Sequence, residues 1–185
     1  SPQNELTPIE PVSPYGAVKA FAHRMAQVSR SHGQPVSTVI LYNHESPRRP
    51  DTFVTRKITK AAARIANGSD EPLHLGNMSA RRDWGFAGDY VRAMRAAVRA
   101  DEPDDFVIAT GISHSIEDFV SQAFAAAGIT DWRAHVAVDE GLLRPQDPAD
   151  FVGDASKAER VLGWRPEVDF AGLVAMMVEH DLALQ

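Results

Sequence analysis

Cysteine is absent from this 185-residue sequence, which removes disulfides, thiolate metal sites and cysteine nucleophiles from consideration. Long apolar runs are absent too. None approaches the ~20 residues that cross a bilayer, and no signal peptide opens the chain, so the expectation is a soluble, cytoplasmic protein without a membrane partner. Excess positive charge is missing as well. Lys+Arg 19 against Asp+Glu 25 gives a formal net charge of −6, which argues against a nucleic-acid partner while leaving room for a local basic pocket. No Gly-x-Gly-x-x-Gly or other glycine-rich strand-to-helix turn occurs, nor Gly-x-Ser-x-Gly, His-Glu-x-x-His or a Walker-type loop. These residues therefore show no dinucleotide phosphate cradle. The histidines have no metal-ligand spacing. His23 and His32 are expected on the exposed flank of a helix, His74, His114, His135 and His180 are scattered, and no metal is assigned.

What remains is ordinary globular material, 44% hydrophobic and 24% charged, enough for one domain with a real core. Residues 1–12 read as a loop. A helix is predicted from about Pro14 to His32, with Val18, Phe21, Met25 and Val28 as its apolar stripe and Gly33 past its end. Val36–Tyr42 is β-branched and predicts a buried strand, followed by a long polar loop from Asn43 through Asp51. Further helices are predicted at Phe53–Ala66, at Gly88–Ala100 with Val91, Met94 and Val98 inward, from Ser115 to Gly128 with an Asp118 capping box, at Ser156–Leu162, and at Phe170–Leu182 with Asp169 as cap. Leu73–Leu75, Phe106–Ala109 and Val136–Val138 read as strands. Strands alternating with helices predict α/β architecture with at least partly parallel pairing.

The most informative stretch is Ser13-Pro14-Tyr15-Gly16-Ala17-Val18-Lys19. Ser13 suits the N-cap and Pro14 the first helical position. Positions four apart share a helix face, so the Tyr15 phenol and the Lys19 ammonium address one small volume. A tyrosine with a pKa of about 10 is a poor base at neutral pH, and a neighbouring cation favours its phenolate. Such a pair can take a proton from an alcohol while hydride leaves the adjacent carbon. The same spacing also arises on any solvated helix.

Asn43-His44-Glu45-Ser46-Pro47-Arg48-Arg49 follows the predicted strand directly, where α/β sheets gather ligands. Asn43 and His44 offer neutral donors, and the paired arginines suit phosphate; a polar surface loop is the other reading. Lys57, near a helix N-terminus, could add positive charge to an anion site or simply be solvated. Arg82, beside Asp83 and Trp84, could be locked to grip a diphosphate or serve a structural ion pair. Arg144 and Asp147 offer a cation for phosphate and a carboxylate for ribose.

Together these segments resemble, in order and approximate spacing, the C-terminal part of the GDP-mannose 4,6-dehydratase family within the extended short-chain dehydrogenases/reductases. Tyr-x-x-x-Lys marks only the superfamily. Asn-His-Glu-Ser-Pro-Arg-Arg at 43–49 and Thr-Phe-Val-Thr-Arg-Lys-Ile at 52–58 are more specific. Leu-Gly-Asn at 75–77, Arg-Asp-Trp-Gly at 82–85, Asp101–Gly111, Arg144-Pro145 and Gly-Asp-Ala-Ser-Lys-Ala at 153–158 complete the match.

The resemblance implies an α/β fold made of a Rossmann-like parallel sheet remnant plus a smaller substrate-binding region. Residues 1–43 would end the nucleotide-binding sheet, and 44–185 would mainly bind substrate. It implies NADP as internal hydride carrier, GDP-mannose as substrate, GDP-4-dehydro-6-deoxy-mannose as product, and a homo-oligomer. Tyr15 would be the base at the sugar 4-hydroxyl, with Lys19 lowering its pKa and holding the nicotinamide ribose. His44 and Arg49 would contact NADP, and Asn43, Val54, Lys57, Arg82, Arg144 and Asp147 would line the GDP-sugar site. The family's glycine fingerprint, its Ser/Thr partner of the tyrosine and its catalytic glutamate have no counterpart here, and Glu5 and Glu10 do not replace that glutamate. This chain alone is expected to be incomplete for catalysis. A related GDP-sugar reductase or epimerase, or an inactive sugar-nucleotide-binding module, is the alternative.

Overall fold

The computed structural model describes residues 2–142 and 150–185. The helices are α1 (Pro14–Ser31), α2 (Val54–Ala66), α3 (Ala87–Val98), α4 (Ile116–Ala126), α5 (Ser156–Leu162) and α6 (Phe170–Leu182). The strands are β1 (Thr38–Leu41), β2 (Asn43–Glu45), β3 (Leu73–Leu75), β4 (Arg81–Phe86), β5 (Asp105–Ile108), β6 (Ser113–Ser115) and β7 (Val136–Val138). Three small sheets form among them. β1 pairs parallel with β5, β3 pairs parallel with β7, and β4 lies between β2 (parallel) and β6 (antiparallel). This is the α/β architecture, with mostly parallel pairing, that the alternating pattern predicts.

Local chemistry sets the helix ends. Ser13 Oγ accepts from Gly16 N at 3.0 Å with Pro14 in the first turn. Ser115 and Asp118 close a full capping box, and Asp169 Oδ1 accepts from Gly172 N at 2.8 Å. Gly33, Gly68, Gly128 and Gly163, just past four helices, take positive φ, where a Cβ is disfavoured.

β1 and β2 form one extended segment that changes sheets at Tyr42. The Tyr42 N–H still donates to Ile108 O of the first sheet, at 3.0 Å. Its hydroxyl donates to Gln3 Oε1 at 2.6 Å. Burial, with the Asp83 charge adding to it, pushes the Tyr42 phenol up to about 12.

Residues opposite one another in a sheet share a face, and successive residues alternate. The registers therefore set Asn43, Glu45, Arg82, Trp84, Phe86 and His114 on one face of the β2–β4–β6 sheet, and His44, Asp83 and Gly85 on the other. The first face meets a core of Trp84, Phe119, Phe124, Leu173, Met177 and the apolar side of α2. The second meets a separate core of Tyr90, Phe106, Ile108 and Trp164. This sheet is a wall between two cores.

Five expectations need correction. Asn43–Glu45 is a strand rather than the start of a loop, because β4 supplies a parallel partner. Arg81–Phe86 is a strand that local propensity did not show; pairing on both edges overrides its charged composition. β1 is half-buried along its length, not buried. In α3 the inward residues are Asp89, Tyr90, Ala93 and Ala97, while Val91 and Val98 face solvent; alanines let the helix approach β1 and β5 closely. Finally, α1 buries none of its apolar stripe. Its polar side docks instead, with His23 Nε2 3.3 Å from Asp105 Oδ2, so His23 is not on the exposed flank.

Candidate active site

α1 carries the first part of the site. Advancing about 100° per residue, His23, Gln27 and Arg30 fall on one side of this helix and Val18, Phe21, Met25 and Val28 on the other. Tyr15 and Lys19 lie on the flank between them. Gln27 Nε2 donates to Asp105 Oδ2 at 2.9 Å, Arg30 bonds Asp105 Oδ1, and Arg30 Nε donates to Val36 O at 2.9 Å. These bonds fix α1 on the end of β5. Lys19 Nζ sits 5.6 Å from the Tyr15 ring centroid, and the tyrosine is 73% exposed. The pair thus shares one accessible surface, as the spacing predicts.

β2 and the turn after it carry the second part. His44 Nδ1 lies 2.9 Å from Tyr42 O. A carbonyl only accepts, so Nδ1 carries a proton and Nε2 of the neutral ring is left as an acceptor. The ring packs on Tyr90 at 5.3 Å between centroids. Glu45 is 2% exposed and accepts from Thr55 Oγ1 at 2.7 Å. Arg49 Nε lies 3.2 Å from Glu45 Oε2, near enough for an ion pair but not aligned as a hydrogen bond. The Arg49 guanidinium carbon stands 3.5 Å from the Phe53 ring centroid. Burial pushes the Glu45 carboxyl above its ordinary value, against the opposing pull of the Thr55 hydroxyl and the Arg49 charge.

The third part is basic. Val54 opens α2 and packs against the first core. Lys57, one turn on, donates from Nζ to His74 O at 2.7 Å. It lines an open cleft of about 450 Å³ with Asp51, Lys60, Arg64, Glu71 and His74. Lys60 pairs with Asp51 at 2.6 Å and Arg64 with Glu71 at 2.9 Å. Among the described residues, Lys57 is the cation of this cleft that meets no carboxylate. On β4, Arg82 donates from Nη1 to Arg81 O at 2.6 Å, and its guanidinium lies 5.3 Å from the Phe151 ring. By register Arg82 shares a sheet face with Asn43.

The site residues thus form two groups. Tyr15 and Lys19 stand on the β1–β5 side. Asn43, His44, Arg49, Val54, Lys57 and Arg82 belong to the mixed sheet and α2. No hydrogen bond or ion pair joins the two groups among the described residues. Arg144 and Asp147 lie outside the described residues. Glu5 Oε1 accepts from Val107 N at 2.8 Å, an engagement with the β5 edge.

Two buried carboxylates beside the candidate residues, Asp83 and Glu45, do work the sequence did not show. Asp83 reads as a partner for its neighbouring arginine. Instead its carboxylate accepts from Thr110 N, Thr110 Oγ1, Gly111 N and Gly153 N at 2.6–3.2 Å, locking β4 to the segment that leaves β5 and to the one that precedes α5. Glu45 sits inside the quoted 43–49 motif, four residues before Arg49. That charge spacing after a strand was the available signal.

A parallel β1–β5 sheet joined to a mixed sheet, with a Tyr-x-x-x-Lys helix packed on the first, defines the class: the C-terminal part of an extended short-chain dehydrogenase/reductase. The chain superimposes on the structure of RMD from Pseudomonas aeruginosa complexed with NADPH with a TM-score of 0.86 at 19% identity, covering 98% of this chain and 60% of that one. It likewise matches the UDP-glucose 4-epimerase of Thermus thermophilus in complex with NAD, with a TM-score of 0.82 at 25% identity, covering 98% and 58%. The chain belongs to the GDP-mannose 4,6 dehydratase family, whose model matches residues 1–177. GDP-mannose 4,6 dehydratase 1 of Arabidopsis thaliana is 48% identical over 184 residues, which is 99% of this chain and 51% of that protein. The chain therefore spans about half the length of the relatives it matches.

Proposed function

We propose that these residues are the C-terminal part of a sugar-nucleotide 4,6-dehydratase that acts on GDP-mannose with NADP. Residues 1–43 would end the nucleotide-binding sheet and 44–185 would mainly bind substrate. The observation that carries this reading is the Lys19 ammonium 5.6 Å from the Tyr15 ring on an exposed helix flank, in a chain whose family model covers residues 1–177.

A bound nicotinamide dinucleotide would supply a hydride acceptor that later returns the hydride. Tyr15 takes the proton from the sugar 4-hydroxyl, and Lys19 keeps a positive charge beside the phenol and reaches the nicotinamide ribose. The residues present fit such a ligand. His44 Nε2 can accept from a ribose hydroxyl, and the Arg49 terminal nitrogens can donate to phosphate. On the substrate side, Lys57 and Arg82 carry charge suited to a diphosphate, alongside Asn43 and Val54. Arg144 and Asp147 complete the proposed set. A homo-oligomer is part of the same proposal.

The test is an assay of the full-length protein with GDP-mannose and NADP. The 4-keto-6-deoxy product is expected, and its absence rejects dehydration in favour of a reductase, an epimerase or a binding module. Tyr15→Phe should lower kcat by at least ~10²-fold, the ordinary size of a lost general base, with little change in GDP-mannose affinity. Unchanged turnover removes Tyr15 from the chemistry.

A further inference from the structure

We propose that Glu45 is a positioning residue: it holds the Arg49 guanidinium by its Nε edge so that the terminal nitrogens face an anionic group of a phosphorylated dinucleotide. The inference rests on the function proposed above, which makes Arg49 a cofactor contact. It adds a role for a carboxylate that touches no ligand itself.

Four observations converge on it. The Glu45 side chain is almost wholly buried, while its partner Arg49 keeps 22% of its side-chain surface. A carboxylate taken out of water is held at a desolvation penalty, and an ion pair formed there adds little to stability by itself. Thr55 Oγ1, in the first turn of α2, donates to Glu45 Oε2 at 2.7 Å, so the carboxylate is gripped from a second element. On the arginine side, the Phe53 ring at 3.5 Å sets the plane of the guanidinium. The turn itself is closed by Arg49 N donating to Ser46 O at 2.9 Å.

The chemistry of the fork completes the argument. Arginine presents five N–H donors in a rigid plane. With Nε turned to Glu45, both terminal nitrogens are left over, and no described residue bonds them. Two parallel donors at a fixed angle are what a phosphate oxygen pair accepts. A lysine at position 49 would keep the charge but lose the stack and the fork. The neighbouring Arg48 is exposed, and among the described residues only its backbone N–H is engaged, with Ser46 Oγ at 3.2 Å. It is the fixed arginine, not the charge of the pair, that the carboxylate selects.

The experiment measures the NADP dissociation constant by calorimetry, together with the melting temperature, in the full-length protein and its Glu45→Gln, Arg49→Ala, Arg49→Lys and Glu45→Gln/Arg49→Ala variants. Glu45→Gln should weaken NADP about tenfold or more with little change in melting temperature. Arg49→Ala and Arg49→Lys should weaken it at least as much. The double variant should bind no worse than Arg49→Ala, because a residue acting through another has nothing to add once that residue is gone. Additive losses in the double variant overturn the proposal, as does wild-type affinity in Glu45→Gln when Arg49→Ala binds poorly; in both cases the cofactor reading of Arg49 survives. Wild-type affinity in Arg49→Ala overturns the cofactor reading and the proposal with it. Should Glu45→Gln fail to fold, Thr55 carries the test. Thr55→Val should weaken NADP and Thr55→Ser should restore it, and equal affinity in the two overturns the proposal.

Discussion

A methyl group on residue 85 would land 2.5 Å from Tyr90 Cε2 and 2.9 Å from its hydroxyl. Tyr90 is fully buried, with His44 against one side of its ring and the Trp164 edge against another, so it cannot swing aside. Gly85→Ala should therefore destabilise by about 1–3 kcal/mol through overpacking, read as a lower urea midpoint at unchanged slope. A midpoint equal to wild type would mean that the strand shifts without strain. Because Gly85 pairs with His44 in register, the same substitution should disturb the candidate cofactor side of the sheet first. Single residues were legible in the sequence where their partners are local. Ser13, the Ser115–Asp118 box and Asp169 all bond within three residues. Asp83 and Asp181 were not legible, because Thr110 and Thr59 reach them from 27 and 122 positions away.

At the scale of elements, α1 shows what periodicity can and cannot say. The apolar spacing from Val18 to Val28 correctly signals a helix, yet the docked side is the polar one, because carboxylates, Asp104 and Asp105, stand where β5 begins. Burial alone would raise the Asp105 carboxyl, but the bonds from Arg30 and Gln27 and the Arg30 charge outweigh it and hold the group below its ordinary value. A carboxylate with a depressed folded pKa stabilises the fold above its unfolded value of about 3.9, and that stability is lost as pH falls through the folded value. Docking of α1 should thus be intact at neutral pH and fail only below about pH 4. Asp105→Asn should mimic the acid state at neutral pH, removing about 1.5–3 kcal/mol of charge-assisted bonding. Hydrogen exchange across residues 14–31, corrected for intrinsic rates, reads both. Protection that survives Asp105→Asn would show that other contacts hold the helix. The strand β4 was hidden for a related reason. Arg-Arg-Asp-Trp-Gly-Phe carries no β-branched residue, and its extended form comes from partners on both edges that are distant in sequence, as Ser113 is from Asp83 and Asn43 from Trp84.

Across the whole molecule, the β2–β4–β6 sheet decides how stability is shared. Trp84 and Phe86 project into the first core, while Gly85 receives Tyr90 of the second. Asp83 clamps the same strand to the chain leaving β5, through Thr110 and Gly111, and to the segment before α5, through Gly153. Melting either core would strip one face of this sheet and release strand residues the other core needs, so the two should unfold together. The three tryptophans report the outcome, since Trp84 and Trp132 lie in the first core and Trp164 in the second. With 5-fluorotryptophan incorporated, all three resonances should lose native intensity at one urea concentration. Phe124→Ala, which empties a fully buried position of the first core, should remove about 3–5 kcal/mol. At a slope of about 2 kcal/mol per molar urea, that moves the midpoint down by about 2 M. The Trp164 signal, in the core that lacks Phe124, should move by the same amount. If Trp164 keeps its original midpoint while Trp84 and Trp132 shift, the sheet is a boundary between independently stable halves and the coupling argued from Asp83 and Gly85 is wrong.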